Sequence, residues 1–159
     1  MPRILATPRA GGPVPPPPSS PHRPHHPHRY VLAPDDRTPG RVRGWIAGLL
    51  DDWRLPQLTD DLALIATELT TNALRHGGTA ALATLSLSAP DRGPRTVRLE
   101  VRDSGPGFDP RECIPATDAS GTAESCGGRG LLLVAALSSR WGAVDTGAGQ
   151  LVWAELTLD

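Results

Sequence analysis

Three short clusters hold the residue types from which a reactive site could be built. Glu68, Asn72 and His76 stand four apart in Glu68-Leu69-Thr70-Thr71-Asn72-Ala73-Leu74-Arg75-His76. On a helix this spacing lines them up along one side, beside an apolar stripe. A carboxylate and an amide one turn apart suit a hard cation or a water. The second cluster is Asp103-Ser104-Gly105-Pro106-Gly107-Phe108. An Asp leaving a strand into D-x-G-x-G sets a carboxylate at the mouth of a pocket, and the glycines let backbone approach a ligand closely. The third is Gly127-Gly128-Arg129-Gly130-Leu131, which opens an apolar run. Glycines at a helix N-terminus present free N–H groups and the positive end of the dipole, which hold phosphate without a lysine. Taken singly, each cluster has a plainer reading: a solvated helix shoulder with Arg75 near Glu68, an Asx-type turn, and a helix-entry turn.

Composition narrows the chemistry. All 16 basic residues are Arg. The lack of lysine excludes a lysine P-loop, the strand lysine of ordinary protein kinases, Schiff bases and pyridoxal phosphate attachment. Any phosphate chemistry must use backbone amides, Arg and a metal ion. The 159 residues suffice for one domain. Ten of the 18 prolines and four of the five histidines fall in residues 1–29, which hold four Arg and no acid. That stretch reads as a disordered Pro/His-rich leader, with residues 30–159 as the folded body. The net charge of −1 divides into about +4 on the leader and −5 on the body. An acidic body argues against a surface for duplex nucleic acid. Two cysteines, Cys113 and Cys126, are too few for a disulfide scaffold and read as free thiols. The longest apolar run, Leu131 to Leu137, is too short to span a bilayer. A soluble cytoplasmic protein without membrane contact is the default.

The elements that must position these clusters can be read from periodicity. Tyr30 to Leu32 reads as a strand closed by Pro34. Thr38-Pro39 looks like a helix N-cap followed by Pro at the first helical position. Val42, Trp45, Ile46, Leu49, Leu50 and Trp53 recur at helical spacing. Leu62, Ile65, Ala66, Leu69 and Ala73 form the stripe of a second helix that carries the first cluster and ends at Gly77-Gly78. Residues 82–87 and 97–101 alternate as strands, joined by a turn at Asp91 to Pro94. From Ser104 to Gly128 the pattern disappears, and loops of that length inside a domain are usually functional. A helix from Gly130 to Ser138 follows, then strands from Arg140 to Asp145 and from Leu151 to Leu158. The four Trp fall at apolar positions and read as core packing. This order predicts an α+β fold: a two-layer sandwich, with helices on one face of a mixed sheet.

E-x-x-x-N, then D-x-G-x-G at a strand end, a long loop and G-x-G-L on a helix, in that order, resembles the GHKL ATPase superfamily with its Bergerat fold. Within it the chain is most similar to the anti-sigma-factor serine/threonine kinases, with E-L-x-x-N-A-x-x-H, D-x-G-x-G-F, G-R-G-L and a V-W-A-x-L tail. The resemblance covers about Tyr30 to Leu158. It implies Mg-ATP: Asn72 on Mg²⁺, Glu68 as general base, and Asp103 accepting from the adenine amino group. It implies that Gly105 and Gly107 shape the adenine pocket and that residues 108–127 form a lid. It also implies that the segment Gly128-Arg129-Gly130-Leu131 brings amides, and the Arg129 charge, to the phosphates. His76 matches in position but is read as packing. Relatives usually carry a Lys or Gly and then a Thr where this chain has Gln150-Leu151. Leu151 cannot hydrogen-bond, which predicts weakened nucleotide affinity. The implied function is a protein serine/threonine kinase acting on an anti-sigma-factor antagonist. The alternative is a non-catalytic, nucleotide-dependent module that sequesters a sigma factor or other regulator. A homodimer is compatible with either.

Overall fold

Alternating strands and two amphipathic helices account for the architecture of the computed structural model, which describes residues 27–77, 81–106 and 130–159. In chain order these are β1 (His28–Leu32), α1 (Thr38–Asp52), a 3₁₀ turn (Pro56–Leu58), α2 (Thr59–Gly77), β2 (Ala81–Ser88), β3 (Arg95–Asp103), α3 (Gly130–Leu137), β4 (Arg140–Asp145) and β5 (Gln150–Leu158). The strands form one sheet of order β1-β2-β3-β5-β4. The class is α+β, as expected, but the sheet is antiparallel at every pairing and not mixed. The connections explain this. β2–β3 and β4–β5 are hairpins, and the path from β1 to β2 runs through two helices, which returns the chain in the opposite sense. β3 and β4 run the same way with one helix between them, but β5 inserts between the two.

One face of the sheet is apolar. Leu85, Leu99 and Ala154 lie side by side across β2, β3 and β5 and are all fully buried. Val42, Ile46 and Leu50 of α1 and Leu62, Ile65, Ala66, Leu69 and Ala73 of α2 complete the core. Each large side chain so buried stabilises the fold by roughly 1.5–3 kcal/mol relative to exposure. The other face has no helix among the described residues. Trp153 is nonetheless buried there. Arg98 lies 4.2 Å above its ring, and Arg98 is itself held by Glu100 at 2.7 Å and Glu155 at 2.8 Å.

Two local expectations differ from what is observed. β1 starts at His28, two residues inside the stretch assigned to the leader. His28 pairs with Leu85, and its ring meets Trp53 edge-on at 5.8 Å, while Tyr30 packs on Trp45 at 5.3 Å. These contacts hold the strand to α1. The remainder of the leader, residues 1–26, lies outside the described residues. Thr38 does not cap α1. Its hydroxyl donates to the Ala33 carbonyl at 2.7 Å, and the cap position belongs to Arg37.

The C-terminal end of α1 closes with a Schellman motif. Arg54 N–H donates to the Asp51 carbonyl and Leu55 N–H to the Leu50 carbonyl, with Leu50 and Leu55 both buried. Arg54 occupies the left-handed position at φ +58°, among the described residues the one non-glycine there. A side chain in that region costs about 1–2 kcal/mol. Arg54→Gly is therefore expected to stabilise the protein by about 1 kcal/mol, read as a higher urea midpoint with an unchanged slope.

Candidate functional site

Helix α2 carries the first cluster along its side. Glu68 and Asn72 are half-buried, flanking the stripe of Ile65, Leu69 and Ala73 that seats the helix on the sheet. Neither has a hydrogen bond or ion pair among the described residues. An acid and an amide are thus held on a rigid element with their polar atoms uncommitted. His76 lies on α2, but its side chain falls outside the described set.

The start of α3 meets α2 at Glu68. Gly130 is buried, and a Cβ on it would overlap Glu68 Oε2 and come within 3.1 Å of Glu68 Cδ. The carboxyl group therefore rests against the first turn of α3. That turn contains no acidic residue of its own, and a helix N-terminus favours an anion. Leu131, expected among the ligand-binding residues, is buried and anchors the turn in the core. Gly128 and Arg129 lie outside the described residues, as do Gly107 and the expected lid.

The third part is the end of β3. Asp103 Oδ1 accepts from Gly105 N–H at 2.8 Å, an Asx turn that fixes the carboxylate and leaves Oδ2 to face a ligand. Asp103 stands opposite Gln150 of β5 in the sheet. The turn before β5 presses on it from beside. A Cβ on Gly149 would overlap the Asp103 carbonyl oxygen and lie 2.6 Å from Ser104 Cα and 2.8 Å from Asp103 carbonyl carbon. Only glycine permits that approach.

Strand register revises the expectation for Gln150-Leu151. Directly opposed residues of an antiparallel pair point to the same face. Leu151 is opposite Arg102, on the side away from the helices, and so does not share the face of Asp103. Gln150 is the residue on Asp103's face, and it is buried. Gly149 and Gln150 are the two site residues that motif reading missed. The signal was present: Val152, Ala154 and Leu156 alternate inward, and counting back by two reaches Gln150.

The two acidic residues occupy different stations. The chain between α2 and β2 spans residues 78–80, so the end of α2 lies near the start of β2, and Leu82 there pairs with Arg102 beside Asp103. Glu68 is nine residues, or ~13 Å, back along α2 from Gly77. A cavity of about 330 Å³ opens at the end of β3, where Asp103 and Ser104 line it together with Val31, Leu82, Arg102 and Thr146. Glu68, Asn72 and Gly130 do not line it.

The family model of the histidine kinase-like ATPase domain matches residues 20–156. The chain belongs to this family. Membership implies ATP binding, and it agrees with the antiparallel sheet packed under helices and with the order of the three clusters. A search of curated proteins gave no match. No helix among the described residues is long and apolar enough to cross a membrane.

Among the described residues no three His, Cys, Asp or Glu side chains gather into a cation cage. Asn72, with its amide uncommitted, offers one oxygen on the side of α2 that carries Glu68. A single hard donor suits Mg²⁺, which keeps several waters and takes its other ligands from substrate phosphates.

Proposed function

We propose that this ATPase domain is a protein serine/threonine kinase of the anti-sigma type, acting on a Ser or Thr of a small antagonist protein. The observation that carries the reading is the seat of Glu68: an uncommitted carboxylate lying against the glycine that opens α3. An acid adds nothing to holding a triphosphate, because its charge repels the tail. It is useful there only to take a proton from an attacking hydroxyl.

In this mechanism Glu68 orients the hydroxyl and accepts its proton. The backbone amides that open α3 hold the phosphate oxygens. Asn72 would hold a Mg²⁺ ion through its amide oxygen, and the metal when bound would neutralise developing phosphate charge. Asp103 accepts through Oδ2 from the adenine amino group, with Gly105 fixing its other oxygen and Gly149 setting its position. The partners of this reading are a sigma factor and its antagonist. The acidic body gives no support to direct nucleic-acid binding.

The test is incubation with γ-labelled ATP, Mg²⁺ and candidate antagonist proteins, beside calorimetric titration with ATP. Label on a Ser or Thr of the antagonist is the expected result. Tight ATP binding without transfer to any antagonist would select the sequestering module instead.

The role of Asp103 yields its own expectation. In Asp103→Asn the amide oxygen can keep the Gly105 N–H, which turns the amide NH₂ toward the adenine amino group, donor against donor. Loss of a hydrogen bond to a charged acceptor costs about 1.5–3 kcal/mol. ATP affinity should fall by about 10–100-fold with the melting temperature unchanged, measured by calorimetry and thermal unfolding.

A further inference from the structure

Gly130 and Glu68 come from different helices and leave no space between them. A Cβ on Gly130 would overlap Oε2 of Glu68, lie 3.1 Å from its Cδ and 3.6 Å from its Cβ, so the contact follows the whole side chain. Nothing else described holds that carboxylate, since Glu68 makes no hydrogen bond or ion pair among the described residues. Its location is set by shape. The bare backbone of Gly130 forms one wall, and α2, buried along its stripe, fixes the other end.

We propose that Gly130 is a positioning residue for Glu68: the missing side chain lets the carboxylate lie against the first turn of α3, at the point where it meets the incoming hydroxyl. This rests on the reading of Glu68 as the general base. The glycine then has a task separate from that of its amide. A methyl group at residue 130 would collide first with the far end of a flexible side chain, not with backbone. The collision is relieved by swinging the carboxylate aside, so the helix stays and the base moves. A displacement near 1 Å at a reacting group costs on the order of 100-fold in rate.

A glycine needed only for close approach of a phosphate predicts something different. There, substitution weakens ATP binding, and its effect multiplies with loss of the base. The experiment compares Gly130→Ala, Glu68→Gln and the double variant. For Gly130→Ala we expect kcat to fall by about 100-fold, with the ATP dissociation constant and melting temperature unchanged. The double variant should be no slower than Glu68→Gln alone, because both changes act through one carboxylate. Selective ¹³C-glutamate labelling gives a readout that needs no nucleotide. The Glu68 carboxyl resonance, identified as the one Glu68→Gln removes, should shift in Gly130→Ala while those of Glu100 and Glu155 stay. An unmoved resonance, or effects that multiply together with weakened ATP binding, overturns the proposal. If the wild-type protein transfers no phosphate, the kinase reading fails by itself, and the carboxyl resonance still decides the role of Gly130.

Discussion

Glu68→Gln is expected to lower phosphotransfer by about 10²–10⁴-fold, the usual contribution of a positioned general base. ATP affinity should be unchanged. The substitution keeps the length and shape of the side chain and removes only its capacity to take a proton. The carboxylate makes no ion pair or hydrogen bond among the described residues, so no buried partner is orphaned and stability should hold. Repulsion between carboxylate and triphosphate is relieved, so any change in ATP affinity should be toward tighter binding. Single-turnover transfer from labelled ATP, with calorimetry on the same preparation, separates the two quantities. Full activity in this variant would discard Glu68 as the base and with it the kinase mechanism.

Gly149→Ala is the second large effect, and it acts on both fold and ligand. The new Cβ would overlap the Asp103 carbonyl oxygen and crowd Ser104 Cα at 2.6 Å. Both are backbone atoms, so no rotamer change can make room. β5 must shift against β3 at the pair Asp103–Gln150, beside the residue proposed to hold adenine. Forced overpacking of this kind costs about 1–3 kcal/mol. ATP affinity should fall with it, because Asp103 moves. Gly147→Ala in the same turn is the control. Its φ of +77° also disfavours a side chain, but its Cβ would meet nothing within 4 Å. It should cost about 1–2 kcal/mol and leave ATP binding intact. Equal effects of the two variants on ATP affinity, measured well below the unfolding transition, would refute the close approach at Asp103.

The clusters around Glu68 and Asp103 and the start of α3 were legible because motif chemistry is local: a helical spacing, a strand end, a glycine entry. Strand and helix positions followed from periodicity for the same reason. What escaped depended on partners distant in sequence. The sense of β3 against β5 cannot be seen in either strand, since it is fixed by the insertion of β5 between β3 and β4. The replacement of Leu151 by Gln150 on the ligand side needs the register of that pair. The crowding of Gly149 on Asp103 and of Gly130 on Glu68 links residues 46 and 62 positions apart. Thr38 misled because a Thr before Pro has two uses, and the nearby Ala33 carbonyl decided between them.

The position of β5 in the sheet has a consequence for biosynthesis. It is the final strand in chain order, yet it sits inside the sheet and covers the edge of β3. While a ribosome is still producing the residues before Gln150, the β3 edge stays open and Val97, Leu99 and Val101 lack the neighbour that completes their layer. Such an intermediate invites pairing with other nascent chains. Asp103 also waits for Gly149, so nucleotide cannot act as an early folding ligand. It can reward only a chain whose β4–β5 hairpin has closed, so it acts after the sheet has formed rather than helping it form.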